Sequence, residues 1–274
     1  MDPSGIARLE AVSPPNQATT FMNTTSLRLI LLSAIACFPA IGLAAPQDPA
    51  TTDATGAKFA GRTATKLLRV LLVGSGSSHD FPRFFLGTDG QTLKATGSMD
   101  IATTPNLDEA LTLLPQADVL VFSGNHDQWG KPEFQKLLHE FADSGKGLVF
   151  LHAGTWTHPG WDNYNRRFIA GATKSHGKGE FTVSVKNTTH PITRGVPATF
   201  QITDESYRHE FMDQAKVEIL AENNHEGKIH ASIWITGDPK TKIVNITLGH
   251  DAAAHENAAY KTILINSVNW VAGR

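Results

Sequence analysis

Apolar residues from residue 67 onward gather into short runs, and each run stops at a cluster of small and polar residues. Residues 67–73 (LLRVLLV) stop at Gly74-Ser75-Gly76-Ser77-Ser78-His79-Asp80. Residues 117–123 (ADVLVFS) stop at Gly124-Asn125-His126-Asp127, and residues 147–151 (GLVFL) stop at His152. Runs with so little polar alternation suit strands covered on both faces of a parallel sheet. Residues 99–103 fit a further strand. Between the strands, Asn106 can cap a helix through Leu107, Leu111 and Leu114, and Pro132 opens another through Phe134, Leu137, Leu138 and Phe141, which Gly145 stops. Strands alternating with helices imply parallel strands, right-handed crossovers and helices on both faces. The expected class is therefore α/β with a mostly parallel sheet.

The pattern continues less regularly after His152. An aromatic turn spans 155–161, a helix runs from Tyr164 to a stop at Gly171, and residues 180–185 (EFTVSV) alternate like a half-exposed strand. A rigid loop at 190–197 (HPITRGVP) leads to 202–207 (ITDESY). Strands are expected at 217–221, 231–236 and 242–248, the last ending in Gly249-His250-Asp251. A closing helix over 256–271 would bury Ile263, Leu264, Val268 and Val271.

The first 65 residues do not belong to this pattern. Met22 is followed by Arg28, an apolar run at 29–38 and small residues at 39–45, the three parts of a secretory signal. We expect an upstream extension at 1–21, a signal peptide at 22–45, a flexible leader at 46–65 and the α/β domain at 66–274. The apolar run is short of the roughly 20 residues a span needs, so an exported protein without a stable membrane span is expected. Cys37, the only cysteine, lies inside the signal. A mature chain without thiols excludes a cysteine nucleophile, a disulfide and sulfur ligands for zinc.

Composition narrows the partners. A net charge of -2 gives no sustained basic surface, which argues against nucleic acid. The loop at 74–80 lacks the glycine spacing of a phosphate cradle, so no nucleotide is expected. Histidine is abundant, with 12 copies.

Ligands of open parallel sheets collect beyond the carboxyl ends of the strands, and His79, His152 and His250 stand at three such ends. Each has a plainer reading. His152 could be satisfied within its turn, His79-Asp80 could form a capping turn, and Asp251 could cap the last helix. Together the three histidines converge on one sheet edge, where Glu205 is the best carboxylate, although a surface loop would also explain it. Imidazoles and a carboxylate without thiol suit a divalent ion such as Zn²⁺, with His79, His152 and His250 as ligands. Trp129, Trp156, Trp161 and Tyr164 could stack on sugar rings or pack under a loop.

The strings SSHD at 77–80, FLHAG at 150–154, HPITRGVP at 190–197, TDESY at 203–207 and TLGHD at 247–251, in this order, resemble the trehalose-utilisation (ThuA-like) family over nearly all of residues 67–274. The resemblance implies a three-layer, flavodoxin-like fold similar to class I glutamine amidotransferases, and a role in sugar metabolism. In those amidotransferases a cysteine occupies the turn after the central strand. His152 matches that position, so glutaminase chemistry is not expected. The resemblance implies a small sugar substrate, trehalose or a 3-keto-disaccharide, handled by a hydrolase or lyase. The expected catalytic residues are His152, Glu205, His250 and Asp251, with Trp156, Trp161 and Tyr207 binding substrate. A homo-oligomer is compatible with this reading, and the sequence does not specify it. The alternative is a secreted carbohydrate-binding module that keeps the fold without catalysis.

Overall fold

Four of the apolar runs become neighbouring parallel strands because helical crossovers return the chain to the same end of the sheet, and a fifth joins them after the long segment that builds the rest of the sheet. The computed structural model describes residues 58–59, 67–125 and 127–274, all within one unit, Asp53–Arg274. The expected upstream extension, signal peptide and nearly all of the leader lie outside the described residues, as does His126. Strand β1 (Leu68–Val73) pairs in parallel with β2 (Met99–Thr104) and β3 (Val119–Phe122); β3 pairs with β4 (Gly147–Leu151), and β4 with β9 (Lys242–Ile246).

The expectation of a mostly parallel sheet is corrected by the second half of the chain. Strands β5 (Gly171–Val185), β6 (Thr199–Phe211), β7 (Val217–His225) and β8 (Lys228–Gly237) join antiparallel, giving a mixed nine-stranded sheet of order β2-β1-β3-β4-β9-β8-β7-β5-β6. The cause is the length of the connections. Parallel strands need a crossover, whereas β7 and β8 are joined by Glu226 and Gly227 alone, at φ of 52° and 75°, the left-handed pair that a two-residue hairpin requires.

Alternate residues of the strands feed two cores. Leu68, Val70 and Leu72 of β1 face a cluster that includes Tyr260, Ile263, Leu264 and Val268 of α6 (Ala258–Val271). Leu71 and Val73 face the other, which α2 (Leu107–Leu113), α3 (Pro132–Asp143) and α4 (Asp162–Arg167) cover through Leu113, Leu138 and Tyr164. Asn106 caps α2 as its sequence suggests, its Oδ1 accepting from the N–H groups of Asp108 and Glu109. Residues 82–88 form a wide helical turn running into α1 (Asp89–Lys94), and α5 (Ala252–His255) is a single turn before α6. Among the described residues no helix is long and apolar enough to cross a membrane.

Candidate metal and sugar site

The carboxyl ends of β1, β4 and β9 bring His79, His152 and His250 together, and the neighbouring antiparallel strand β6 adds Glu205. One ligand atom from each of these four residues lies within 4.8 Å of all the others. His152 Nε2 is 3.0 Å from His79 Nε2 and 3.4 Å from Glu205 Oε2, which is in turn 3.2 Å from His250 Nδ1 and 3.9 Å from His79 Nε2. Neighbouring ligand atoms around a tetrahedral ion with bonds of about 2.0–2.1 Å stand about 3.3–3.4 Å apart, so the cluster has the spacing of a cation site.

The buried hydrogen bonds set the donor state of the rings. His152 Nδ1 is 2.6 Å from the Thr247 carbonyl, which can only accept, so Nδ1 carries a proton and Nε2 is the ring atom turned to the cluster. His79 Nδ1 is 2.6 Å from Ser78 Oγ, to which Asn125 Nδ2 donates at 2.6 Å. His250 Nδ1 is buried without a hydrogen-bond partner. His152 holds its position at a cost, because its φ of 38° lies in the left-handed region that a side chain disfavours.

Charge follows the same logic. Burial pulls His79 down to about 3, helped by His152 and His250 and opposed by Glu205. Burial also lowers His250 against the pull of Glu205. Burial acts to raise Glu205, but the hydrogen bond and charge of His152, with His250 and His176, win and hold it at about 2. His79 and His250, pulled towards the neutral form beside an ionised Glu205, are in the state in which protein groups bind a cation.

A cavity of about 280 Å³ opens over the cluster, walled by Trp156 and Tyr207. The Tyr207 ring lies on His152 with centroids 4.3 Å apart, and Trp156 meets Tyr207 edge-on at 5.2 Å. Burial raises the Tyr207 hydroxyl, with Glu205 and Asp204 acting in the same direction.

Other expected site residues stand elsewhere. Asp251 is outside the cluster: its Oδ1 caps α5 by accepting from the Ala253 N–H at 3.0 Å, and its other oxygen lies 3.5 Å from Lys178 Nζ. Trp161, expected at the substrate, is 3% exposed and packs on Phe134 and Tyr164. Trp129 is likewise buried, its Nε1 donating to Ser75 Oγ, and the Tyr164 hydroxyl donates to the Gly154 carbonyl. Of the four aromatic rings, only Trp156 faces the histidine chamber.

Two residues of the site had no sequence signal strong enough to find them. His176 Nδ1 lies 3.4 Å from Glu205 Oε1, on a polar half of β5 whose sequence GATKSHGKGE shows no apolar alternation. Asp204 is fully buried; its Oδ1 accepts from the N–H groups of Glu205 and His250 and its Oδ2 from that of Gly249.

A mixed sheet flanked by helices, with the site at its strand ends, defines an α/β fold. The sequence profile described as ThuA, trehalose utilisation, matches residues 69–271, and the chain belongs to that family. Solved structures agree on the fold. A ThuA-like protein of Parabacteroides merdae is 18% identical with a TM-score of 0.64, the match covering 76% of this chain and 90% of that one. One of Bacteroides uniformis is 16% identical with a TM-score of 0.65, covering 77% and 94%. PurLQS of Thermotoga maritima is 11% identical with a TM-score of 0.51, covering 75% and 99%. No protein of curated function matches the sequence.

Proposed function

We propose that this chain is an exported enzyme of carbohydrate metabolism, a hydrolase or lyase of a disaccharide or keto-sugar, in which His79, His152, Glu205 and His250 hold a divalent cation such as Zn²⁺. The observation that carries the reading is the convergence of three imidazoles and Glu205 at ligand spacing, with His250 Nδ1 buried and making no hydrogen bond although Glu205 Oε2 lies 3.2 Å away. A buried polar atom without a partner is costly unless something completes it. The family's association with trehalose utilisation supports the sugar, and the signal-like stretch at 22–45 supports export.

A bound cation would supply Lewis acidity toward a sugar carbonyl or hydroxyl oxygen. The chain's own groups do the rest. Thr247 fixes the tautomer of His152, and Asp204 holds the backbone that presents Glu205 and His250. Glu205 Oε1 and His176 Nδ1 stand 3.4 Å apart on the cavity side, within reach of a bound hydroxyl, with Trp156 and Tyr207 as the ring-bearing wall. The non-catalytic module keeps Trp156 and Tyr164 at cavity walls, while Trp129 and Trp161 are buried away from both cavities.

The test combines elemental analysis of the purified full chain with turnover of 3-keto-disaccharides before and after chelation. We expect bound metal, loss of turnover on chelation and recovery with added zinc. His152→Ala, His250→Ala and Glu205→Ala should each lower turnover by at least about 100-fold. Metal-free protein that is fully active, or wild-type turnover in all three variants, would overturn the reading.

A further inference from the structure

Trp156 and Asn125 of the histidine chamber also wall a second cavity, of about 240 Å³, lined further by Ala153, Thr157, His158 and Tyr164. Each cavity alone is at or below the roughly 300 Å³ at which ligand sites begin, and the two together make a site of ordinary size.

The second cavity is built rather than incidental. The Asn125 amide sits where it does only because residue 76 is glycine: a Cβ there would lie 1.9 Å from Asn125 Oδ1. A Cβ on Gly130 would likewise come within 2.8 Å of the His158 ring. Asn165 grips the His158 backbone from both sides, accepting from its N–H at 2.9 Å and donating to its carbonyl at 3.1 Å.

Its chemistry selects the occupant. No lysine, arginine, aspartate or glutamate is among its described lining residues, so nothing there balances a phosphate or a carboxylate. An indole, an imidazole and an amide suit a ring with an apolar face and hydroxyl edges. We propose that this cavity is a subsite for the uncharged second ring of a two-ring glycoside whose reacting ring lies in the histidine chamber, with Asn125 at the junction. The inference rests on the sugar-site reading above. Asn125 also touches the reactive cluster, since its amide donates to the Ser78 hydroxyl beside His79 Nδ1.

Calorimetric titration of the zinc-loaded full chain with glucose, glucose 6-phosphate and trehalose tests it. Trehalose should bind at least about tenfold tighter than glucose, the return on one stacked ring and its hydrogen bonds. Glucose 6-phosphate should bind no tighter than glucose. His158→Ala should bring trehalose affinity towards that of glucose and leave glucose binding unchanged. Pro159→Trp, at an exposed position of the same wall, should block the cavity with the same outcome. Glucose and trehalose binding equally to the wild type, or trehalose binding unchanged in both variants, would overturn the subsite while leaving the sugar site intact. If none of the three saccharides binds, the sugar reading itself falls and takes the subsite with it.

Discussion

Asp204 never faces the cavity, yet it governs two of the four groups that do. Burial pushes its carboxyl up, while His152 and the N–H groups of Gly249, His250 and Glu205 pull it down. Asparagine in its place has one accepting oxygen and must turn an N–H group toward one of those backbone donors. Asp204→Asn is therefore expected to weaken metal binding by about 10–100-fold with the far-UV circular dichroism unchanged. Chelator competition measures this, and wild-type affinity would deny Asp204 its positioning role. At this scale the sequence was a partial guide. His79, His152 and His250 were legible because histidines that follow apolar runs must sit at strand ends. Asp251 was not, because a carboxylate in the motif TLGHD can serve a helix cap or a site equally well, and here the cap claims it. Trp161 was misplaced because an aromatic residue in a polar turn gives no sign of the direction in which its ring packs.

Among elements, β1 to β4, β9, α2 and α3 were read close to their observed limits, since periodicity reports burial directly, whereas β6 and α1 were not read as elements and the second half of β7 was missed. Strand β5 was half missed, because its first part pairs with β6 through backbone bonds while exposing Lys174, Ser175 and His176. The joint between α1, α5 and α6 was also invisible, being made by polar residues far apart in sequence. His255 Nδ1 lies 2.7 Å from Asp89 Oδ1, its Nε2 donates to the Gly249 carbonyl at 3.0 Å, and the Tyr260 hydroxyl donates to Asp89 Oδ2 at 3.0 Å. Burial works to lower His255, but the charge and hydrogen bond of Asp89 raise it above 6.5; burial raises Asp89 against the opposing pull of His255. Both shifts are upward, so folding takes up protons. The stability His255 contributes is complete below about pH 6.5 and is lost as pH rises through its folded value. The gap in melting temperature between the wild type and His255→Gln should therefore narrow from pH 6 to pH 9. A gap that widens over that range would contradict a protonated His255.

For the whole molecule, the cluster joins the two halves of the sheet. His79, His152 and His250 follow parallel strands β1, β4 and β9, whereas Glu205 belongs to antiparallel strand β6. A cation bound there would fasten one half to the other. Zinc at about 100 times its dissociation constant should add about 2.7 kcal/mol, or about 5–10 °C of melting temperature for a domain of this size. Hydrogen exchange should slow at residues 74–80, 202–207 and 247–251 together; slowing confined to one of these segments would deny the clasp. The strand that supplies Glu205 carries a further consequence. Its register against β5 is set by the irregularity between Thr173 and His176, beyond which Lys178 lies opposite Glu205. Side chains alternate between faces along a strand, so sliding β6 by one residue would turn Glu205 away from the histidines and put Asp204 or Ser206 in its place. A change of one residue in the chain between β5 and β6 that put Ser206 there would leave the three histidines without their carboxylate, with every site residue still present in the sequence. A count of motif residues would not notice the difference; the length of the chain between them would.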